Sequence, residues 1–378
     1  MFHGIVVVMA LILMLIPVSE ALSEGLPFRV KSRAAVLGDV DSGTILFSQE
    51  ADVRVPPASL TKVMTLYLVY EALANGNLSL DQRLPVSEKA WRMGGSKTFV
   101  HVGDKVRVED LIRGIAVQSG NDACMVVAEH IGGSEKGFAD LMNQKAKDLG
   151  LHNSNFMNSS GMPTEGHFST ARDMFILASS IVRHFPQYAH YAKEKQYTFN
   201  GIRQYNRNRL LWRDPSITGL KTGHTRAAGY CLIATNENDG QRLAAVIMGA
   251  DRIKTREEEA LRLLRFGNRT YETVRLFEAN SLVRRLRIWK GDNDHVEGVI
   301  RDPLLVTVPR KERDTLEVGL LYDDPILAPI HDGQKVGTLV VKLGKEELLS
   351  RPVVAGAEVA EGGFFRTLLD SVRLQLGW

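Results

Sequence analysis

The sequence predicts an α/β sandwich, a sheet covered by helices, followed by a small all-β domain and a C-terminal amphipathic helix. Three observations predict it. Alternating apolar segments stand at the two ends of roughly the first 280 residues, with helical periodicity between them. Near Asn280 the pattern changes to short strands separated by regular turns. At the chain end six apolar residues fall on one helical face. The 378 residues suffice for two domains, and a composition 44% hydrophobic and 24% charged suits a folded protein. A net charge of +3, with no basic cluster interleaved with aromatics, gives no reason to expect a nucleic-acid partner.

Residues 1–21 read as a secretory signal peptide. An apolar run from Ile5 to Ile16 is too short to span a bilayer and leads to small residues at Ser19 and Ala21, a cleavage pattern, although no Lys or Arg precedes the run. The alternative is an uncleaved membrane anchor. Either way the rest of the chain is expected outside the cytoplasm. Cys124 and Cys231, the only cysteines, lie among apolar neighbours and read as buried thiols rather than a disulfide. No Cys/His spacing suits zinc, so no metal or cofactor is expected.

The main domain is assigned to residues 22–280. Ala34 to Phe47 alternates around Asp41-Ser42-Gly43 and predicts a β-hairpin. Pro56-Pro57 stops any earlier helix, and Leu60, Val63, Met64, Tyr67 and Leu68 then recur at the spacing of an amphipathic helix. Val106–Arg113, Ala116–Ile131, Phe138–Leu149 and Thr170–Arg183 read as helices, with a polar break at Gln118–Asp122. Gly229–Ala234 and Arg242–Gly249 read as strands joined at Asn238-Asp239-Gly240, and Lys254–Phe266 returns to helix.

Residues 281–356 carry the all-β pattern: Arg285–Trp289, Leu304–Val308, Leu316–Tyr322 and Lys335–Leu343. No cluster of catalytic residue types occurs there, which suits a spacer or recognition module. In residues 357–378, Phe364, Phe365, Leu368, Leu369, Val372 and Leu376 share a helical face, and Arg366, Asp370 and Arg373 fall away from it. Aromatic and apolar residues with interspersed arginine suit a helix lying on a membrane surface; a helix packed on the β domain is the alternative.

Three short signatures occur in order: Ser59-Leu60-Thr61-Lys62, Ser119-Gly120-Asn121 and Lys221-Thr222-Gly223. Taken alone, Ser59 and Lys62 would read as an N-cap serine and a solvated lysine. The ordered triple is instead the one found in class A β-lactamases and penicillin-binding proteins. A serine hydroxyl needs a base to become a nucleophile, and Lys62, one helical turn away, can be that base only when neutral. Burial and a nearby cation such as Lys221 would both lower its pKa. Ser119 can relay a proton to a leaving amine, Asn121 can hold a substrate amide, and backbone N–H groups of Ser59 and His224 can hold an oxyanion. Lys221-Thr222-Gly223 is expected to precede the first strand of the later hairpin.

From about Val30 to Trp378 the chain resembles the low-molecular-mass penicillin-binding proteins, serine D-alanyl-D-alanine carboxypeptidases of the Gram-negative periplasm. The triple carries the resemblance, together with "SGNDAC", "STARDM", "FNGIRQYNRN", "LKTGHT" and "EGGFFR". It implies a penicillin-recognising (β-lactamase/transpeptidase-like) sandwich domain, a β domain, and a terminal helix that holds the protein on the periplasmic side of the inner membrane as a peripheral protein. It implies an acyl-enzyme on Ser59, Lys62 as base, Ser119 and Asn121 lining the site, and Lys221, Thr222 and Gly223 as the docking strand. The substrate would be a peptidoglycan stem pentapeptide, and β-lactam antibiotics would acylate the same serine. The family binds the terminal carboxylate with an arginine, which spacing from Gly249 and from Leu263 both put at Arg256; Arg252 and Lys254 are the alternatives. Asp173 is expected to pair with a nearby cation. Where the family has His-Gly-Leu, this chain has Ser159-Ser160-Gly161-Met162. A D,D-endopeptidase cleaving crosslinks, a β-lactamase and an inactive binding protein are the competing readings.

Overall fold

The computed structural model describes residues 29–376; the expected signal segment, residues 1–21, lies outside them. A five-stranded antiparallel sheet is ordered Ile45–Gln49, Ala34–Asp39, Gln241–Ala250, Gly229–Asn238, Ile217–Thr225. The predicted hairpins at either end of the domain therefore meet in one sheet. Its central strands are buried on both faces. Ala34, Val36, Ile233 and Val246 face one helical layer, while Ala35, Leu37, Leu232 and Ile247 face the long helix Ile253–Thr270. Side chains alternate across a strand, so two covered faces require a run with no polar break, as in "AAVLG".

The helix expected to be amphipathic is not. A short 3-10 turn, Ala58–Thr61, leads into the helix Lys62–Ala74, which is buried on every side from Lys62 to Tyr70. Helices packed around it leave it no solvent face. Each large apolar side chain enclosed there contributes about 1.5–3 kcal/mol. Ser59 lies inside the turn and makes no capping bond. The expected polar break after Val117 is a π turn, Gly114–Gln118, followed by the helix Asn121–Gly132. Glu135–Asp148 and Ala171–His184 form where periodicity places them, with Ser134 and Thr170 as N-caps. Asp173 makes no ion pair among the described residues; it accepts bonds from Asn153 N and Ser154 Oγ, each within 2.8 Å, and fastens the loop before it.

The second unit has its own core of Leu286, Ile288, Val296, Val306, Val308, Leu339, Val341 and Val353. All four expected strands are present. His295–Ile300 and Glu346–Ala355 add to the six-stranded sheet, and Tyr271–Phe277 pairs with Leu304–Pro309. The two units are stitched by Thr273 Oγ1, which donates to Asp39 Oδ2 at 2.6 Å, and by a 2.7 Å bond between Ser42 and Thr307 hydroxyls. The last helix, Phe364–Leu376, is pinned through its polar side: Lys290 N donates to Asp370 Oδ2 at 2.8 Å and Arg366 pairs with Asp294. Its six apolar side chains point outward, between 46% and 79% exposed. Among the described residues no helix is long and apolar enough to cross a membrane.

Candidate active site

Ser59 is raised to the surface of the first unit by the turn Ala58–Thr61. Ala58 adopts a positive φ of 49°, a costly conformation for a residue with a Cβ, at the step that aims Ser59 into the cleft. The turn is wedged between two close approaches. A Cβ on Gly161 would stand 1.8 Å from Ala58 O, at a φ of +80°. A Cβ on Gly223 would stand 3.2 Å from Ser59 N, Leu60 N and Pro57 O. Glycine at both positions lets a loop and a strand press against the backbone of the turn that carries Ser59.

Lys62 is wholly buried. Its Nζ meets three oxygens: Ser59 Oγ at 2.9 Å, Asn121 Oδ1 at 2.8 Å and Ser160 O at 2.6 Å. Burial is the main cause that pulls this amine down to about 8; the Arg207 charge adds to it, against Cys124 and Asp122. Arg207 is thus a second cation acting on Lys62, beside the expected Lys221, whose repulsion with Lys62 is mutual. Lys221 is itself enclosed and held well below the ordinary lysine range, by burial first and then by Lys62 and Arg207. Its Nζ donates to Thr222 O at 3.0 Å.

Ser119 follows the π turn in the left-handed region, φ 66°, and its buried Oγ has no hydrogen-bond partner among the described residues. Asn121 joins two parts of the site, since its Nδ2 donates to Gly94 O at 2.7 Å while its Oδ1 receives Lys62. The loop carrying Gly94 and Gly95 is held by Asp122, whose carboxylate accepts from the N–H groups of Thr98, Phe99 and Val100. Lys221, Thr222 and Gly223 lie within the strand Ile217–Thr225 rather than before it. His224 stacks on Tyr230 with ring centroids 4.1 Å apart.

Arg256 is not a solvated helix-start residue. It is 5% exposed, and its Nη1 donates to Gly223 O and Cys231 O at 3.3 and 3.2 Å, while its Nε has no hydrogen-bond partner among the described residues. A cleft of about 690 Å³ brings Ser59, Ser119, Thr222, Gly223, His224 and Arg256 to one surface, with Lys62, Asn121 and Lys221 beneath it.

Sequence reasoning missed three contributors. Arg207, inside the quoted "NRN" string, lines the cleft and donates Nε to Gln118 O at 3.0 Å. Ser160 contributes a backbone carbonyl, for which no residue type is a signature. His167 takes Met157 N–H on Nδ1 and bonds Thr61 Oγ1 through Nε2 at 3.0 Å, so the loop that lacks the expected histidine is still clasped to the turn Ala58–Thr61 by another one. Burial pulls His167 down to about 4, which keeps it neutral. Cys124 and Cys231 are free, buried thiols, as expected.

Comparison with known proteins agrees with this arrangement. Residues 20–252 match the profile of the peptidase S11 family, D-alanyl-D-alanine carboxypeptidase, and residues 271–361 match that of the penicillin-binding protein 5 C-terminal domain. The D-alanyl-D-alanine carboxypeptidase DacC of Escherichia coli is 39% identical over 92% of this chain and 88% of its own. Penicillin binding protein 5 of Haemophilus influenzae superposes with a TM-score of 0.85 at 35% identity, covering 89% of this chain and 100% of its own. A penicillin-binding protein of Listeria monocytogenes, solved in its ampicillin-bound form, superposes with a TM-score of 0.59 at 30% identity over 64% of this chain and 98% of its own. With a serine, a buried lysine and the two further signatures around one cleft, and relatives matching along nearly their whole length, the chain belongs to the peptidase S11 family of D-alanyl-D-alanine carboxypeptidases.

Proposed function

We propose that this carboxypeptidase removes the terminal D-alanine of a peptidoglycan pentapeptide through an acyl-enzyme on Ser59. The observation that carries the assignment is the environment of Lys62 Nζ. A neutral amine has two hydrogens and one lone pair. Asn121 Oδ1 and Ser160 O absorb the two hydrogens, which turns the lone pair toward Ser59 Oγ, 2.9 Å away.

Lys62 takes the proton as Ser59 Oγ bonds to the carbonyl carbon between the two D-alanines. The oxyanion is held by the N–H groups of Ser59 and His224. The C–N bond then breaks, and the leaving amine receives its proton through Ser119, whose hydroxyl has no other partner among the described residues. The terminal carboxylate rests on Thr222 and on Arg256, with Lys221 and Asn121 shaping the pocket. Water, deprotonated by Lys62, cleaves the ester and releases the shortened peptide. A β-lactam presents a carbonyl and a carboxylate in the same relation and acylates the same Ser59. Residues 22–280 perform this chemistry, 281–356 space it from the surface, and 357–378 hold the enzyme on the periplasmic face of the inner membrane after removal of residues 1–21.

The test is mass spectrometry of a penicillin adduct mapped to its residue. The adduct is expected on Ser59 and absent from Ser59→Ala, which also releases no D-alanine; an adduct elsewhere, or one that persists in the variant, refutes the assignment.

A further inference from the structure

Three arginines line the cleft over Ser59, namely Arg207, Arg209 and Arg256, and no carboxylate lines it. Two of them have fixed contacts. Arg256 is buried on the carbonyls of Gly223 and Cys231, and Arg207 is tied to Gln118 O. Arg209 differs. Its side chain is exposed to the cleft and, among the described residues, makes neither a hydrogen bond nor an ion pair. The acidic side chains that follow Arg209 and Arg256 in the chain are engaged elsewhere: Asp214, after Arg209, with Arg265, and Glu257 and Glu258, after Arg256, with Arg213 and Lys254.

The position of Arg209 follows from the short helix Leu210–Arg213 that it precedes. At the far end of that helix Arg213 Nη1 reaches Glu257 Oε2 at 3.3 Å, and Glu257 adjoins Arg256. The tie holds Arg209 on the Arg256 side of the cleft. The two charges are close enough that Arg209 contributes, after burial, to pulling Arg256 below the usual arginine range. One terminal carboxylate neutralises one guanidinium. The second charge acts over a screening length of about 8 Å and favours a second anion in the same end of the cleft.

We propose that Arg209 forms a subsite for a second carboxylate on the leaving side of the scissile bond, so that a leaving D-residue with an acidic side chain, or one joined to an acidic peptide, is preferred over a neutral residue of the same shape. The inference rests on the assignment above of Arg256 to the terminal carboxylate. Arg209 touches no reacting atom; it sets specificity through charge.

The test uses the full-length enzyme and three acyl-tripeptides ending in D-Ala-D-Ala, D-Ala-D-Glu and D-Ala-D-Gln, the last two nearly isosteric. The readout is the ratio of kcat/KM for D-Glu over D-Gln. It is taken within each preparation, so an inactive fraction cancels. The wild type is expected to show a ratio of about 5–10 at low salt that falls as salt is raised. Arg209→Gln brings the ratio toward one and removes its salt dependence, and Arg209→Lys retains most of it. A ratio unchanged by Arg209→Gln overturns the subsite, as does a wild type that favours D-Gln or cleaves neither while releasing D-alanine. A wild type that releases no D-alanine refutes the proposed reaction itself.

Discussion

If Lys62 is the base, the rate of acylation must follow its neutral fraction. The amine is pulled from 10.5 to about 8. At pH 7 a group at 8 is neutral in roughly one molecule in eleven, and a group at 10.5 in roughly one in three thousand. Burial with the help of Arg207 thus enriches the reactive form by about 300-fold. The perturbation is pH, and the assay is the second-order rate constant for acylation by a penicillin from pH 6 to 10. The rate is expected to rise about tenfold per unit below pH 8 and to level off above it, because a protonated amine cannot accept the Ser59 proton. Arg207→Gln removes a charge that disfavours the ammonium and moves the midpoint upward. A rate flat between pH 6 and 9, a midpoint at 10, or a downward shift in the variant refutes the reasoning. The same depression has a consequence for stability. Between about pH 8 and 10.5 the unfolded chain holds a proton that the folded one has lost, so stability rises with pH across that window.

Gly223→Ala is expected to slow acylation by about tenfold or more with little change in melting temperature. The new Cβ, 3.2 Å from Ser59 N, shifts the strand and the nucleophile's turn apart by a few tenths of an ångström; an unaltered rate counts against the close approach. His167→Gln is expected to flatten the acid side of the stability curve. In the wild type the buried neutral imidazole at about 4 costs stability as the pH falls below 6.5, by up to about 3 kcal/mol near pH 4. Urea denaturation of both proteins at pH 7 and pH 4.5 checks the difference, which vanishes if His167 takes up a proton in the folded state. Deleting the chain after Gly362 should release the protein from membrane vesicles while D-alanine release persists; a truncated form that still sediments with vesicles refutes the anchor.

Local patterns carried the fold where strand and helix periods were clean. The "AAVLG" strand and the Asn238-Asp239-Gly240 turn are legible because alternation and turn chemistry act over a few residues. Glu346–Ala355 is not. It opens on two glutamates and contains Pro352, which argues against a strand, yet Pro352 lies where only the Lys335–Leu343 strand flanks it, beyond the two residue pairs made with His295–Ile300. The amphipathic reading of Lys62–Ala74 failed because the apolar spacing at Leu60, Val63, Met64, Tyr67 and Leu68 says which face is buried, not whether the opposite face is covered by other helices.

The site divides along the same line. Ser59, Lys62, Ser119, Asn121 and Lys221-Thr222-Gly223 were legible because one chemistry needs those residue types in that order. Their environment was not. The third oxygen around Lys62 Nζ is a backbone carbonyl that any residue at position 160 could offer, provided Gly161 lets the loop close on Ala58. Arg207 acts on both lysines through space, so the string that contains it points to the family but not to this role. A lysine that would be solvated on most helices is held well below its ordinary range here because sheet, helix and loop together exclude water from it, which is what the proposed base requires. In the proposed reaction the motif therefore specifies the reacting atoms, and the folded enclosure sets the pH at which they react. A variant that opened the enclosure while keeping all three signatures would leave Lys62 protonated and Ser59 inert at neutral pH.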